Sequence, residues 1–234
     1  MNNKHIRALR AAFPHTIPIL TGFMFLGLTY GIYMNVSGFS FWYPCLISLF
    51  VFAGSAQFVT VNLLLGAFSP LQAFAMILMI NARHIFYGLS MLEKYKGLGL
   101  KKLYLIFGLC DETFSINCSA DIPDDVDKGL FMFYVTLLNQ TYWVIASTLG
   151  GIFGSLLTIS TKGLDFVMTA MFVVIFIEQW TKEKDHTNSL LGLFLPLVCL
   201  LIFGADSFII PSMAAILAAL LIVRTLKQKG GAQE

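Results

Sequence analysis

Apolar runs long enough to cross a bilayer follow one another along nearly the whole chain, and this leaves few folds open to it. They cover roughly 14–35, 41–65, 70–92, 103–120, 129–151, 163–180, 188–204 and 209–226. A hydrocarbon core about 30 Å thick takes about 20 apolar residues in helical form. Lipid offers no partners for backbone N–H and C=O groups, so only helices or closed barrels cross it. Continuous apolar runs, with no alternation of period two, select the helix. Of 234 residues, 12% are charged, against roughly 25% in a soluble domain. The polar coat that water demands is missing. The chain reads as an all-α, polytopic integral membrane bundle of about 7–8 hydrophobic segments, forming a single transmembrane domain over 1–234.

The joints between segments are short, so neighbouring helices are expected to pack antiparallel. With eight crossings and a cytoplasmic amino terminus, nine Lys and Arg lie inside and five outside, the side that cationic loops favour. That count still leaves Lys94, Lys96, Lys101 and Lys102 outside. A re-entrant segment 41–65, together with one re-entrant late segment, would turn this basic loop inward. Both topologies satisfy the sequence. Lys4, Arg7 and Arg10 precede the first run as in a secretion signal, but the run continues from Phe13 to about Met34. That is longer than a signal core and no A-x-A-like site follows, so an uncleaved first helix is expected.

The net charge of +2 gives no reason to expect nucleic acid. Cys45, Cys110, Cys118 and Cys199 lie within apolar runs without C-x-x-C spacing. Such cysteines behave as small hydrophobes, and neither a disulfide framework nor a metal or cofactor site is expected.

Depth is the informative feature. Asn81-Ala82-Arg83-His84 sits at the middle of segment 70–92, Asp111-Glu112 at the middle of 103–120, and Asn139-Gln140 at the middle of 129–151. Segment 41–65 centres on Ala53-Gly54-Ser55-Ala56-Gln57. At about 1.5 Å rise per residue, these groups lie within about 6 Å of the midplane. A charged side chain there costs roughly 2.5–3.5 kcal/mol on insertion scales. Arg83 is therefore expected to pair with a carboxylate of the following segment. Such a pair could serve packing alone, but two acids oppose one arginine. The acid left over can be neutralised by a proton or meet a substrate ammonium, and either makes a site.

Thr136, Asn139, Gln140, Trp143 and Ser147 form a polar stripe on one helical face. It could line a cavity or join helices by hydrogen bonds. Gly54 and Ser55 could mark an unwound stretch near 53–57, as in transporters with broken helices, or a close helix contact. Glu178, Gln179 and Trp180 read as interfacial anchors, and His15 and His186 carry little information. Segments one to three and four to six are compatible with a faint inverted repeat, with Gln57 and Gln140 at comparable depth.

Three motifs resemble one family. Phe52-Ala53-Gly54-Ser55-Ala56-Gln57-Phe58, then Asn81-Ala82-Arg83-His84 with Tyr87-Gly88, then Asp111-Glu112-Thr113-Phe114 stand in the order and spacing of the AzlC family. Members of that family are the larger subunits of bacterial branched-chain amino acid exporters. The resemblance covers about Phe13 to Trp180. It implies a multi-pass permease of the bacterial cytoplasmic membrane for branched-chain amino acids or analogues, working with a small AzlD-like membrane subunit.

The expected mechanism is alternating access around a midplane site. Arg83 would take the substrate carboxylate and Asp111 or Glu112 its ammonium, while the other acid carries a coupling proton. Asn81, His84, Gln57, Asn139 and Gln140 complete the candidate binding set. The competing readings are a passive channel, a scaffold, or a membrane enzyme using Asp111, Glu112 and His84. No H-E-x-x-H or comparable spacing supports the enzyme.

Overall fold

The computed structural model describes residues 3–67, 69–156, 173, 176, 177, 180, 181, 186–204 and 208–230, and their regular structure is helical throughout. Segment 163–180, with Glu178 and Gln179, lies largely outside the described residues, as does the inverted repeat it would complete. The chain divides into two compact units, residues 1–164 and 165–234.

In the first unit α1 (Asn3–Val36) packs along α8 (Lys128–Leu156). Among the described residues, α1 is the one helix long and apolar enough to cross a membrane by itself. Lipid tails are as apolar as leucine, so these helices gain by close approach rather than by escaping water. Small residues permit it. A Cβ on Gly31 would meet the Ser147 carbonyl and the Gly151 amide, and one on Gly150 would strike the Leu28 backbone. Gly27 likewise faces Ala146, whose Cβ would stand 2.6 Å from an added one. Beyond α1 the chain reverses at Gly38, φ 93°, where the Phe39 N–H bonds back to the Met34 carbonyl at 3.0 Å. That left-handed helix stop suits glycine.

The next three apolar segments are each broken in two. Segment 41–65 becomes α2 (Trp42–Phe50) and α3 (Gly54–Leu65). Segment 70–92 becomes α4 (Pro70–Ile80) and α5 (Arg83–Met91). Segment 103–120 becomes α6 (Lys101–Phe107) and α7 (Asp111–Ser119). A break near 53–57, marked by Gly54 and Ser55, was one of two readings of that stretch. The structure corrects its place: the unwound residues are Val51–Ala53, and Gly54 and Ser55 open α3. The glycine instead lets α8 come close, since an added Cβ would sit 3.3 Å from the Trp143 ring.

Each break has its own local cause. At the end of α2, Phe52 takes φ 44°, the helix-stop conformation that usually belongs to glycine. At Asn81–Ala82 the helical bonds tighten to three-residue spacing, with the His84 N–H on the Asn81 carbonyl at 2.9 Å. At Gly108–Cys110 the chain becomes extended, Cys110 having φ −107° and ψ 178°. A side chain on Gly108 would collide with Thr136 of α8.

In the second unit, α9 (Thr187–Phe203) and α10 (Ile209–Gly230) pack together. Trp180 stacks on His186 with ring centroids 4.1 Å apart.

Candidate functional site

The breaks place chemistry at helix ends. Ser55, Arg83 and Asp111 stand in the first turns of α3, α5 and α7, and the structure brings the three together. Arg83 Nη1 lies 2.6 Å from Asp111 Oδ2, and Arg83 Nη2 donates to Ser55 Oγ at 3.1 Å. The pairing expected across the third and fourth segments is therefore present. It is supported electrostatically, because a helix N-terminus carries partial positive charge. Asp111 and Glu112 sit in the first turn of α7, where acids are favoured. Arg83 starts α5 against its own dipole, so it depends on the carboxylate opposite.

The pair is not closed off. About one third of each side chain remains exposed, while Arg83 Nε and Asp111 Oδ1 are buried without a hydrogen-bond partner. Glu112, His84 and Tyr87 lie near enough to feel the charges of Arg83 and Asp111. Tyr87 stacks on Phe114 at 4.5 Å. Ser55 and Tyr87 were not expected among the binding residues. Tyr87 stands four residues after Arg83, hence on the same face of a helix, and that spacing was the available signal.

Alongside runs a cavity of about 580 Å³, within the range of roughly 300–1,000 Å³ usual for small-molecule sites. Its walls come from all three broken segments. Val51, Phe52 and Ala53 supply the first break, Asn81 and His84 the second, and Leu109 the third. Asn81 and His84 thus line the cavity.

Gln57, Asn139 and Gln140 are placed differently, in hydrogen bonds that tie the half-helices to α8. Trp143 Nε1 donates to Gln57 Oε1 at 2.6 Å, and Gln57 Nε2 donates to Ser48 at 3.1 Å. Asn139 Nδ2 reaches Thr113 Oγ1 at 3.2 Å, in the first turn of α7. Gln140 accepts from the Tyr104 hydroxyl at 2.6 Å and donates to the Leu49 carbonyl at 2.9 Å. Asn139 Oδ1 alone among these amide oxygens is buried without a partner. Asn139, Gln140 and Trp143 of the α8 stripe form an interhelical clasp, while the Thr136 and Ser147 hydroxyls donate to the carbonyls of Met132 and Trp143 within α8. No group of three or more His, Cys, Asp or Glu among the described residues is arranged to hold a metal.

Comparison with known proteins places this geometry in context. The family model described as "AzlC protein" matches residues 18–157. The chain is 59% identical over 222 residues to the branched-chain amino acid transport protein AzlC of Bacillus subtilis, covering 95% of this chain and 87% of that one. It is 48% identical to an uncharacterized membrane protein of Haemophilus influenzae, covering 92% and 88%. A Helicobacter pylori membrane protein is 36% identical, covering 95% and 97%. No solved structure matches at a significant level.

Proposed function

The chain belongs to the AzlC family, and from that premise we propose that it is a secondary transporter exporting branched-chain amino acids or close analogues. The observation that carries the reading is the Arg83–Asp111 pair, held where three half-helix N-termini meet beside a cavity. Half-helix N-termini at mid-membrane suit anionic groups of a substrate. A zwitterion brings one charge of each sign. Its carboxylate can take Arg83 while its ammonium takes Asp111, so the exchange leaves no ion uncompensated. A substrate with one charge would strand a partner in low dielectric.

In this proposal Glu112 carries the coupling proton. Asn81 and His84 offer neutral hydrogen bonds from the cavity wall, and Gln57, Asn139 and Gln140 hold the half-helices in register. The chain acts as a carrier rather than an enzyme, with residues 1–234 serving as one transport domain. The 9 and 12 residues of α2 and α3, at about 1.5 Å each, together reach about 32 Å. Together α2 and α3 are thus long enough for one crossing, in a multi-pass protein of the bacterial cytoplasmic membrane. A small AzlD-like subunit completes the exporter.

Efflux of radiolabelled leucine, valine and isoleucine from cells tests this, first with the chain alone and then with the small subunit. Asp111→Asn and Glu112→Gln should each abolish efflux, measured per molecule that reaches the membrane. Wild-type efflux in both variants would end the proposal.

A further inference from the structure

Asn81 and His84 stand at the level of the Arg83–Asp111 pair, and Leu89 and Leu92 follow along the same helical face. Ile106 and Phe107 line the cavity from α6. Tyr95 and Lys102 line it as well, and Leu89, Leu92 and Ile106 give it an aliphatic wall.

Gly88 stands between His84 and Leu89 in that lining. It follows Arg83 by five residues, about 7.5 Å along the axis, and lines the cavity. A Cβ built on it meets nothing within 4 Å. This glycine differs from Gly31 or Gly150, whose added Cβ atoms would strike backbone. Packing gives no reason for its lack of a side chain, and glycine inside a helix is unfavourable relative to alanine. What the missing side chain leaves is free space, one helical turn beyond His84.

We propose that Gly88 sets the size of the substrate side chain that the cavity accepts, with Leu89 and Ile106 forming its aliphatic wall. The inference rests on the transport reading above and adds to it the residue that gauges length and branching. A side chain at position 88 would occupy the space that a leucine or isoleucine substrate fills, and leave room for alanine. Truncating Ile106 would enlarge the cavity at that wall.

Efflux of labelled alanine, valine, leucine, isoleucine and phenylalanine tests this in cells carrying the full chain, with the small subunit supplied if wild-type export needs it. The variants are G88A, G88V, I106A and, as a control, G22V, at matched amounts in the membrane. Gly22 also meets nothing within 4 Å but does not line the cavity. The leucine-to-alanine efflux ratio should fall at least about tenfold in G88V, the scale set by one or two methylenes in an apolar site. It should fall less in G88A and hold in G22V, while I106A should raise phenylalanine relative to leucine. If G88V does not insert, G88A and I106A decide. Ratios unchanged in G88A and I106A, or a G22V shift equal to that of G88V, overturn the gauge. A wild-type chain that exports none of these amino acids overturns the transport reading instead.

Discussion

Gln140 of α8 donates its side-chain amide to the main-chain carbonyl of Leu49, 91 residues earlier, at 2.9 Å. Leu49 lies in the last turn of α2, where carbonyls have lost their intrahelical partners. In lipid no water replaces them, so a helix can stop at mid-membrane only if another element covers its open end. The same amide accepts from Tyr104 of α6. One side chain thus serves two broken segments.

Gln140→Leu should remove both bonds at nearly constant volume. Interhelical hydrogen bonds in membranes average about 0.6 kcal/mol, with a maximum near 1.7, so a loss of about 1–3 kcal/mol is expected. Thermal unfolding in detergent measures it, and amino acid efflux should fall with it. Unchanged stability would show that the clasp is dispensable.

The charge pair separates structure from function. Asp111→Asn leaves Arg83 without its ion, at an insertion cost of roughly 2.5–3.5 kcal/mol for a centred charge. The amount of folded protein in the membrane should drop, and efflux should vanish. Adding Arg83→Gln removes the stranded charge, so the double variant should recover its membrane level and remain inactive. Recovery of efflux in the double variant would reduce the pair to a packing device.

The pair was legible in the sequence because an arginine and two acids inside apolar runs must find partners or water. The breaks at Asn81–Ala82 and Gly108–Cys110 were not. Hydropathy registers an apolar run whether its helix is whole or broken, and Gly108 carries no mark that it is pressed against Thr136. Gly54 was open to both readings, unwinding or close approach, and the Trp143 ring makes it the second. The stripe from Thr136 to Ser147 was visible as a face, but the partners of Asn139, Gln140 and Trp143 lie up to 91 residues away. One helix period cannot name them.

Lys94 reveals a further dependence. Its ammonium donates to the carbonyls of Asn117 at 3.1 Å and Cys118 at 2.7 Å, at the C-terminal end of α7. The half-helix that starts with Asp111 and Glu112 therefore has acids at its positive end and a cation at its negative end. Lys94→Met should cost about 0.3–2 kcal/mol, the range for a charge at a helix terminus. Lys94→Arg should restore most of that stability, and Lys94→Glu should be worse than methionine. Denaturation midpoints of the three variants check the order.

Gly31 and Gly22 share α1 but not its packing, and the contrast predicts how tightly the scaffold is built. A Cβ on Gly31 would overlap the α8 backbone at Ser147 and Gly151, which cannot rotate aside as a side chain would. Gly31→Ala must push α1 and α8 apart, and overpacking of this kind typically costs about 1–3 kcal/mol. A Cβ on Gly22 meets nothing within 4 Å, and alanine there should gain up to about 1 kcal/mol from helix propensity. The two substitutions should therefore move the unfolding temperature in opposite directions. Separation at Gly31 would also draw α8 from its partners, because Ala146, Ser147 and Gly150 stand on the helix that carries Gln140 and Trp143. Gly31→Ala should thus reduce efflux as well as stability, although nothing at position 31 lines the cavity. Equal behaviour of the two variants would mean that the α1–α8 contact is not the frame on which the broken helices hang.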